Sequence, residues 1–410
     1  MLGSITIKGF KSVVDQTIEL GRLNVFVGAN GAGKSVVLEA IGVLGAAAYG
    51  RVDDASLLRR GVRPGVPALY KNAFATDEIP RFITLKSKAS GPSPAVYEVA
   101  LDNPIKKAAG TAWRFSHEKV AAAKASGERP FVSRAPRGAK FYGPKGTSQS
   151  FKPADSTRGI ADVPNPLGDP PPDVLAFLDG LRSYAIFDPQ TPVLRGIEQE
   201  VAPNEPLGLH GGRLAEAMSP LLARIAKEPD LKKALFGLLG WVKAFGTAVP
   251  TPDLISPAIP AALKIVRFID RYMRKERSSL SAYDASEGAL YVLFALALLF
   301  HPKTPAMFAI DNIDHALHPK LARGLVEVMS AQVARADKQL LLTTHNPLVL
   351  DGLNLRDDAI RLFTVDRNAA GHTEVRRLEF TDALQKAQAS GLTLSQLWVE
   401  GLIGGMPRIF

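Results

Sequence analysis

Residues 28 to 35 read Gly28-Ala29-Asn30-Gly31-Ala32-Gly33-Lys34-Ser35 and match G-x-x-x-x-G-K-[ST]. Glycines at these spacings let the backbone curl so that successive N–H groups point inward at phosphate oxygens. A lysine placed like Lys34 reaches the β and γ phosphates, and a hydroxyl placed like Ser35 serves a Mg²⁺ ion. The helix expected from this point adds its positive amino end. A second acid-bearing element is Met307-Phe308-Ala309-Ile310-Asp311, an apolar run ending in a carboxylate that could hold Mg²⁺ through water. Asp284-Ala285-Ser286-Glu287-Gly288 precedes an apolar stretch. Leu317-His318-Pro319 follows Asp311, and LLLTTHNP brings His345 to the end of another apolar strand.

These residues need a sheet and helices to hold them. Leu23, Val25, Phe26 and Val27 form a short apolar run ending at Gly28, as a buried parallel strand does. Val36 to Leu44 are apolar all round, as in a helix packed on a sheet. Ile5, Ile7 and Phe10, then Val13, Val14, Ile18 and Leu20, predict two short strands before it. LYKNAFA, RFITLKS and AVYEVAL between 69 and 101 are further strand candidates. From 102 to 172 Gly, Pro, Ser and Lys dominate. Between 119 and 158 nine bases (Lys119, Lys124, Arg129, Arg134, Arg137, Lys140, Lys145, Lys152 and Arg158) face only Glu128 and Asp155. This reads as a partly irregular basic insertion. Residues 173 to 280 read as mainly helical, with Pro-rich turns near 250 to 260. Helix and strand alternate from Ser286 on.

The expected architecture is therefore α/β: a P-loop NTPase head with a mixed sheet, a helical lobe and a basic insertion. Its parts are 1–101, carrying the P-loop; 102–172, the insertion; 173–280, the helical lobe; 281–375, the second part of the head; and 376–410, a tail. The tail, SQLWVEGLIGGMPRIF, either packs on the head or docks a partner.

Composition narrows the chemistry. The 410 residues exceed one ordinary core, and 46% hydrophobic with 22% charged residues is ordinary for a globular protein. With no cysteine, disulfides, thiolate metal sites and thiol redox chemistry are excluded. A cytoplasmic location is expected. MLGSITIKGF has no secretory pattern, and the longest apolar run, Ala289 to Phe300, is too short for a bilayer, so no membrane role is expected. The net charge of +10 fits either a polyanion partner or a solvated basic surface. A salt titration of duplex DNA binding separates these for residues 119–158.

The order P-loop, S-x-G before a helix, strand-Asp, LHP and strand-Thr-His resembles the ABC-type ATPase heads of the RecF, SMC and OLD families. Within these it is most similar to stand-alone bacterial AAA family ATPases, several of which belong to anti-phage defence systems. The opening ITIKGFKSV is also like theirs, and the likeness runs from Ile5 to about Thr373, leaving the insertion uncovered. The resemblance implies ATP and Mg²⁺ as cofactors and a homodimer, or higher oligomer, closed around ATP. Ser286 and Gly288 then form the signature motif that meets the γ-phosphate held by the other subunit. His345 is the switch histidine, and Asp314 to Leu317 form the loop crossing the dimer interface.

One position departs from the pattern. The residue after the strand aspartate is usually a glutamate that polarises the attacking water. Here it is Asn312, whose amide orients water but cannot take its proton. Slow hydrolysis and a long-lived ATP-bound state are expected, with Asp314 as an alternative base. No glutamine lies between 50 and 85 to serve as a Q-loop. Two readings follow. One is an ATPase switch acting with DNA or a nuclease or effector partner, in defence or repair. The other is an ATP-binding scaffold or sensor with little hydrolysis. The missing Q-loop and LSGGQ count against a transporter subunit. The absence of long heptads counts against an SMC-type tether, and that of an acidic cluster after 375 against a Toprim-like nuclease.

Overall fold

In a computed structural model of the chain, the described residues are 1–75, 77–92, 94–102, 113–124, 127–200, 205–256, 259 and 263–404. The first two strands are β1 (Leu2–Phe10) and β2 (Val13–Glu19), an antiparallel hairpin. Then β3 (Leu23–Val27) leads through the P-loop into α1 (Lys34–Ala48), followed by the short α2 (Asp54–Leu58). Next come β4 (Ile83–Ala89) and β5 (Ala95–Asp102). Of the three strand candidates in this region, LYKNAFA instead begins as a 3₁₀ turn over Pro67–Tyr70, where proline removes a ladder donor.

The segment expected to be partly irregular forms β6 (Arg114–Lys124), β7 (Gly127–Ala135), β8 (Gly138–Tyr142) and β9 (Ser148–Phe151). These strands extend the amino-terminal sheet into eight antiparallel strands, ordered β2-β1-β4-β5-β6-β7-β8-β9. Residues 103–112 and 125–126 of that segment lie outside the described residues. Its strands were masked in the sequence because apolar residues alternate with Lys, Arg and Ser, and Pro130 sits at a register shift between β6 and β7.

The described part of the region 173–280 is less than half helical. It holds α3 (Pro172–Ser183), β10 (Ala185–Phe187), α4 (Thr191–Leu194), α5 (Leu214–Lys227) and α6 (Pro229–Leu238). It also holds β11 (Val242–Ala248), β12 (Ile265–Asp270) and β13 (Ser279–Ser281), which form a small antiparallel sheet. Part of the Pro-rich stretch (257, 258 and 260) is outside the described residues. After it come α7 (Glu287–Phe300), β14 (Met307–Ile310), α8 (Pro319–Gln332) and β15 (Gln339–Thr344). Last are β16 (Ile360–Arg367), β17 (Thr373–Leu378), α9 (Asp382–Ala389) and α10 (Leu394–Val399).

The second large sheet is six-stranded, ordered β10-β14-β15-β3-β16-β17, parallel except for the last strand. Its central strands are buried on both faces, and alternate residues go to different cores. Leu23, Val25 and Val27 pack with α5, α7 and α8, whereas Phe26 points to the core shared with α1 and the eight-stranded sheet. Met307 and Ala309 follow Phe26, and Phe308 and Ile310 follow Val25. Helix α1 thus lies between the two sheets, which accounts for its apolar residues on every side. The tail packs on the head. Leu394, Leu397 and Trp398 join the core of α7 and α8, and Ser395 bonds Asp351 through its backbone N–H (2.9 Å) and its hydroxyl (2.7 Å). Residues 405–410 lie outside the described residues. No described helix is long and apolar enough to cross a membrane.

Strand β6 buries Glu118 completely. Its carboxylate accepts from the N–H groups of Ile160 (2.7 Å) and Ala161 (3.0 Å) and from the Tyr97 hydroxyl (3.0 Å). Burial outweighs these donors and pushes the carboxyl up to about 7. Its folded value is raised, so its contribution to stability is fully present below about 4.5 and is lost as pH rises through about 7. Relative to the wild type, Glu118→Gln is expected to gain about 1–3 kcal/mol between those pH values. Thermal midpoints of the two proteins across that range check this; parallel profiles would contradict it.

Candidate functional site

The loop 28–33 turns back against the far edge of the sheet. A Cβ on Gly28 would lie 2.2 Å from the Val365 carbonyl oxygen. Gly33 has φ +111°, and a Cβ there would lie 2.2 Å from the Thr373 hydroxyl. Both positions therefore require glycine. Thr373 in turn donates to the Ala32 carbonyl (2.7 Å), and Arg367 donates to that of Gly31 (3.1 Å). The loop is thus braced from β16 and β17, which leaves the N–H groups at the start of α1 aligned along one axis.

Lys34 is 7% exposed and folds back to donate to the carbonyls of Gly28 (2.8 Å) and Ala29 (3.0 Å). Burial pulls its pKa down, against the pull of Asp311 and Asp314. Ser35 donates to Asp311, 2.8 Å from Oδ2 and 3.1 Å from Oδ1. The Thr343 hydroxyl also donates to Asp311 and accepts from the Asn312 N–H at 2.8 Å. Hydroxyl and carboxylate oxygens converge here beside a lysine, a hard-oxygen set suited to Mg²⁺ and phosphate. The residues present fit ATP with Mg²⁺.

Beyond Asp311 the chain turns sharply. Asn312 has φ +53° and Ala316 φ +58°, and Ile313 donates its N–H to the Thr343 carbonyl (3.0 Å). Asp314 is 7% exposed. One of its oxygens lies 3.4 Å from His345 Nδ1, and the other is buried without a hydrogen-bond partner. The His345 side chain is 52% exposed. His315 Nδ1 lies 2.8 Å from the Tyr291 hydroxyl, which ties this turn to α7.

The expected site residues fall into two groups. Gly28 to Ser35, Asp311, Asn312, Asp314 and His345 gather at the carboxyl ends of β3, β14 and β15. Ser286 caps α7, accepting from the Ala289 N–H (3.4 Å), and a Cβ on Gly288 would lie 3.6 Å from the Ala316 carbonyl. Among the described residues no hydrogen bond or ion pair joins Ser286 or Gly288 to the P-loop.

Several residues were not legible beforehand. Thr343 was read only as part of its strand, although a hydroxyl beside His345 was its signal. Asp188 follows β10, the strand paired with β14, and burial plus the Asp311 charge raise its pKa. Glu39 on α1 is 3% exposed and holds Lys11 (2.5 Å) and Arg63 (3.1 Å) next to this region. The basic strands carry less free charge than counted. Lys119 pairs with Glu128 (2.6 Å) and with Glu98 (3.8 Å), which arrives from β5. Arg134 is buried against the Arg158 carbonyl (2.5 Å).

A P-loop strand, a strand aspartate on its hydroxyl, and a following strand with histidine define a nucleotide-binding ATPase head. The comparisons agree. The family model described as "AAA domain, putative AbiEii toxin, Type IV TA system" matches residues 23–351, and the chain belongs to that family. No curated protein matches it. An SMC head solved with the C-terminal winged-helix domain of ScpA is similar in fold. It has TM-score 0.53 and 13% identity over 94% of this chain and 99% of that one. The SMC head domain of Thermotoga maritima (TM-score 0.43, 12% identity, 92% and 99% covered) also aligns. So does the Pyrococcus furiosus Smc head with an extended coiled coil, bound to the C-terminal domain of ScpA (0.46, 13%, 95% and 99%). The fold assignment rests on the first of the three.

Proposed function

We propose that this protein binds ATP with Mg²⁺ at residues 28–35, closes as a homodimer around it, and hydrolyses it slowly. The observation that carries the reading is the Asp311 carboxylate held by Ser35 and Thr343 directly beside Lys34. In this reading Lys34 meets the β and γ phosphates, while Ser35 and Asp311 hold the metal. The metal, when bound, neutralises charge on the phosphate oxygens. Asn312 orients water without accepting its proton. Asp314, buried beside His345 with one oxygen unpartnered, is the alternative base and positions the histidine.

Dimer closure is supported by Ser286 and Gly288 making no hydrogen bond or ion pair, among the described residues, to the P-loop of their own chain. In an ATP sandwich each of them serves the other subunit. Mixing tests this directly. Lys34→Met and Ser286→Arg chains are each expected to fail at ATP-driven dimerisation, and an equimolar mixture to recover one intact composite site per heterodimer. Light scattering with ATP, together with phosphate release, reads this out; no recovery on mixing would sink the closed dimer. Ser286→Arg loses a helix cap worth about 1 kcal/mol, so its fold survives.

The switch acts on a nuclease or effector partner, or on DNA along residues 119–158, in a defence setting. The toxin–antitoxin wording of the family description supports the setting, and the net charge of +10 supports an acidic partner. Asn312 favours the second reading, in which ATP occupancy assembles or restrains the partner and turnover matters little.

A further inference from the structure

The nucleotide residues lie at the carboxyl ends of the parallel strands. At the opposite ends of β10, β14 and β15 there is a second cavity, of about 480 Å³. Arg59, Arg60, Lys303 and Lys338 line it. Arg182 and Glu205 reach it too, but Arg182 is committed to Asp162 and Asp179, and Glu205 to Arg213. Glu205 is the only carboxylate among its described lining residues.

Two of the cations are deeply buried. Arg60 is 3% exposed; it donates to the carbonyls of Ser56 (2.9 Å) and Arg182 (2.8 Å), and its Nε has no hydrogen-bond partner. Lys338 is 7% exposed, and its Nζ donates to the carbonyls of Thr304 (2.7 Å) and Pro305 (3.3 Å). Burial lowers the pKa of both, Arg60 to about 10. Arg60 also faces the Tyr49 ring (5.5 Å) and Lys338 feels the charge of Asp337, but among the described residues neither makes an ion pair, and taking such cations out of water is unfavourable. Elsewhere Glu39 has Lys11 and Lys71 has Asp102, whereas Arg134, like Arg60, donates to backbone carbonyls. Lys34 is likewise buried, held by carbonyls and lowered in pKa, and it is the lysine the P-loop offers to phosphate.

We propose that this cavity binds a small oligophosphate anion at a site separate from the P-loop. Its volume lies in the range of ligand pockets. These four cations come from three separate segments around one hollow, an arrangement suited to several charges on one molecule. The β10 strand joins the two ends, since the cavity borders Ala185 and the strand leads to Asp188 beside Asp311.

The test uses the full chain carrying Lys34→Met, which silences the P-loop, with sodium tripolyphosphate and, separately, ATP as probes in calorimetry at low salt. Saturable one-to-one binding is expected for at least one probe, weakened tenfold or more by adding Lys303→Glu. Lys303 is exposed, so this change leaves folding intact. Lys303→Glu alone is expected to keep the P-loop affinity for ATP. Tighter binding of ATP than of tripolyphosphate would identify a nucleotide, and the reverse a free oligophosphate; both support the site. No saturable binding in the Lys34→Met chain, or binding indifferent to Lys303→Glu, overturns it. Failure of the P-loop reading looks different, because Lys34→Met would then leave high-affinity ATP binding that Lys303→Glu does not touch.

Discussion

Lys34→Met is expected to lower ATP affinity by two orders of magnitude or more while leaving the protein folded. The lysine is buried, its hydrogen bonds go to the carbonyls of Gly28 and Ala29, and burial outweighs the pull of Asp311 and Asp314, so without nucleotide it carries a desolvation cost. Phosphate oxygens supply the counter-charge. Truncating one partner of such a buried charged contact costs about 2–5 kcal/mol, and each 1.4 kcal/mol is about tenfold. Methionine keeps the aliphatic stem and removes the desolvated charge, so the thermal midpoint without ATP should stay within a few degrees of the wild type. Calorimetry with ATP and Mg²⁺, beside a melting curve, reads both quantities. An affinity within tenfold of the wild type would remove residues 28–35 from the phosphate site.

Asn312→Glu is expected to raise the hydrolysis rate at least about tenfold, since a positioned base typically contributes 10²–10⁴-fold. The gain is discounted because position 312 sits at φ +53°, a conformation asparagine tolerates better than glutamate. A stability loss of about 1 kcal/mol should accompany the faster rate. An unchanged or slower rate would mean that the wild type already has its base. Asp314 is then the candidate, and Asp314→Asn in the wild-type background should abolish the residual turnover. If it does not, water positioning alone carries the reaction.

The nucleotide end of the molecule was legible because its residues are locally dictated. A strand buried on both faces is a continuous apolar run, so β3, β14 and β15 stood out. The P-loop glycines announce a turn that no other residue can make at Gly28 and Gly33. Asp311, Asn312, Asp314 and His345 fell together because each ends or follows such a strand. The basic strands β6 to β9 were not legible. Their sheet has one face wet, and a wet face is written in Lys, Arg and Ser, the same letters that loops use. Nor did charge counts along the chain foresee that Glu98, from a neighbouring strand, would neutralise Lys119. Asp188 was missed because β10 is three residues long, too short for its apolar residues to stand out as a strand. The oligophosphate cavity could not be read at all, since its cations come from three separate segments and converge only in three dimensions.

The position of β3 in its sheet constrains how the chain can be made. This strand emerges first, yet its two neighbours are β15 and β16, and the Asn24 side chain finds its Leu340 carbonyl partner 316 positions later. At a synthesis rate of about 5–20 residues per second, the P-loop strand waits roughly 15–60 s for that partner. The amino-terminal hairpin and the long antiparallel meander need no such delay, since their partners follow closely. During translation the apolar β3 strand therefore waits for its neighbours, and the site at residues 28–35 cannot be completed until the residues of β15 and β16 have been made.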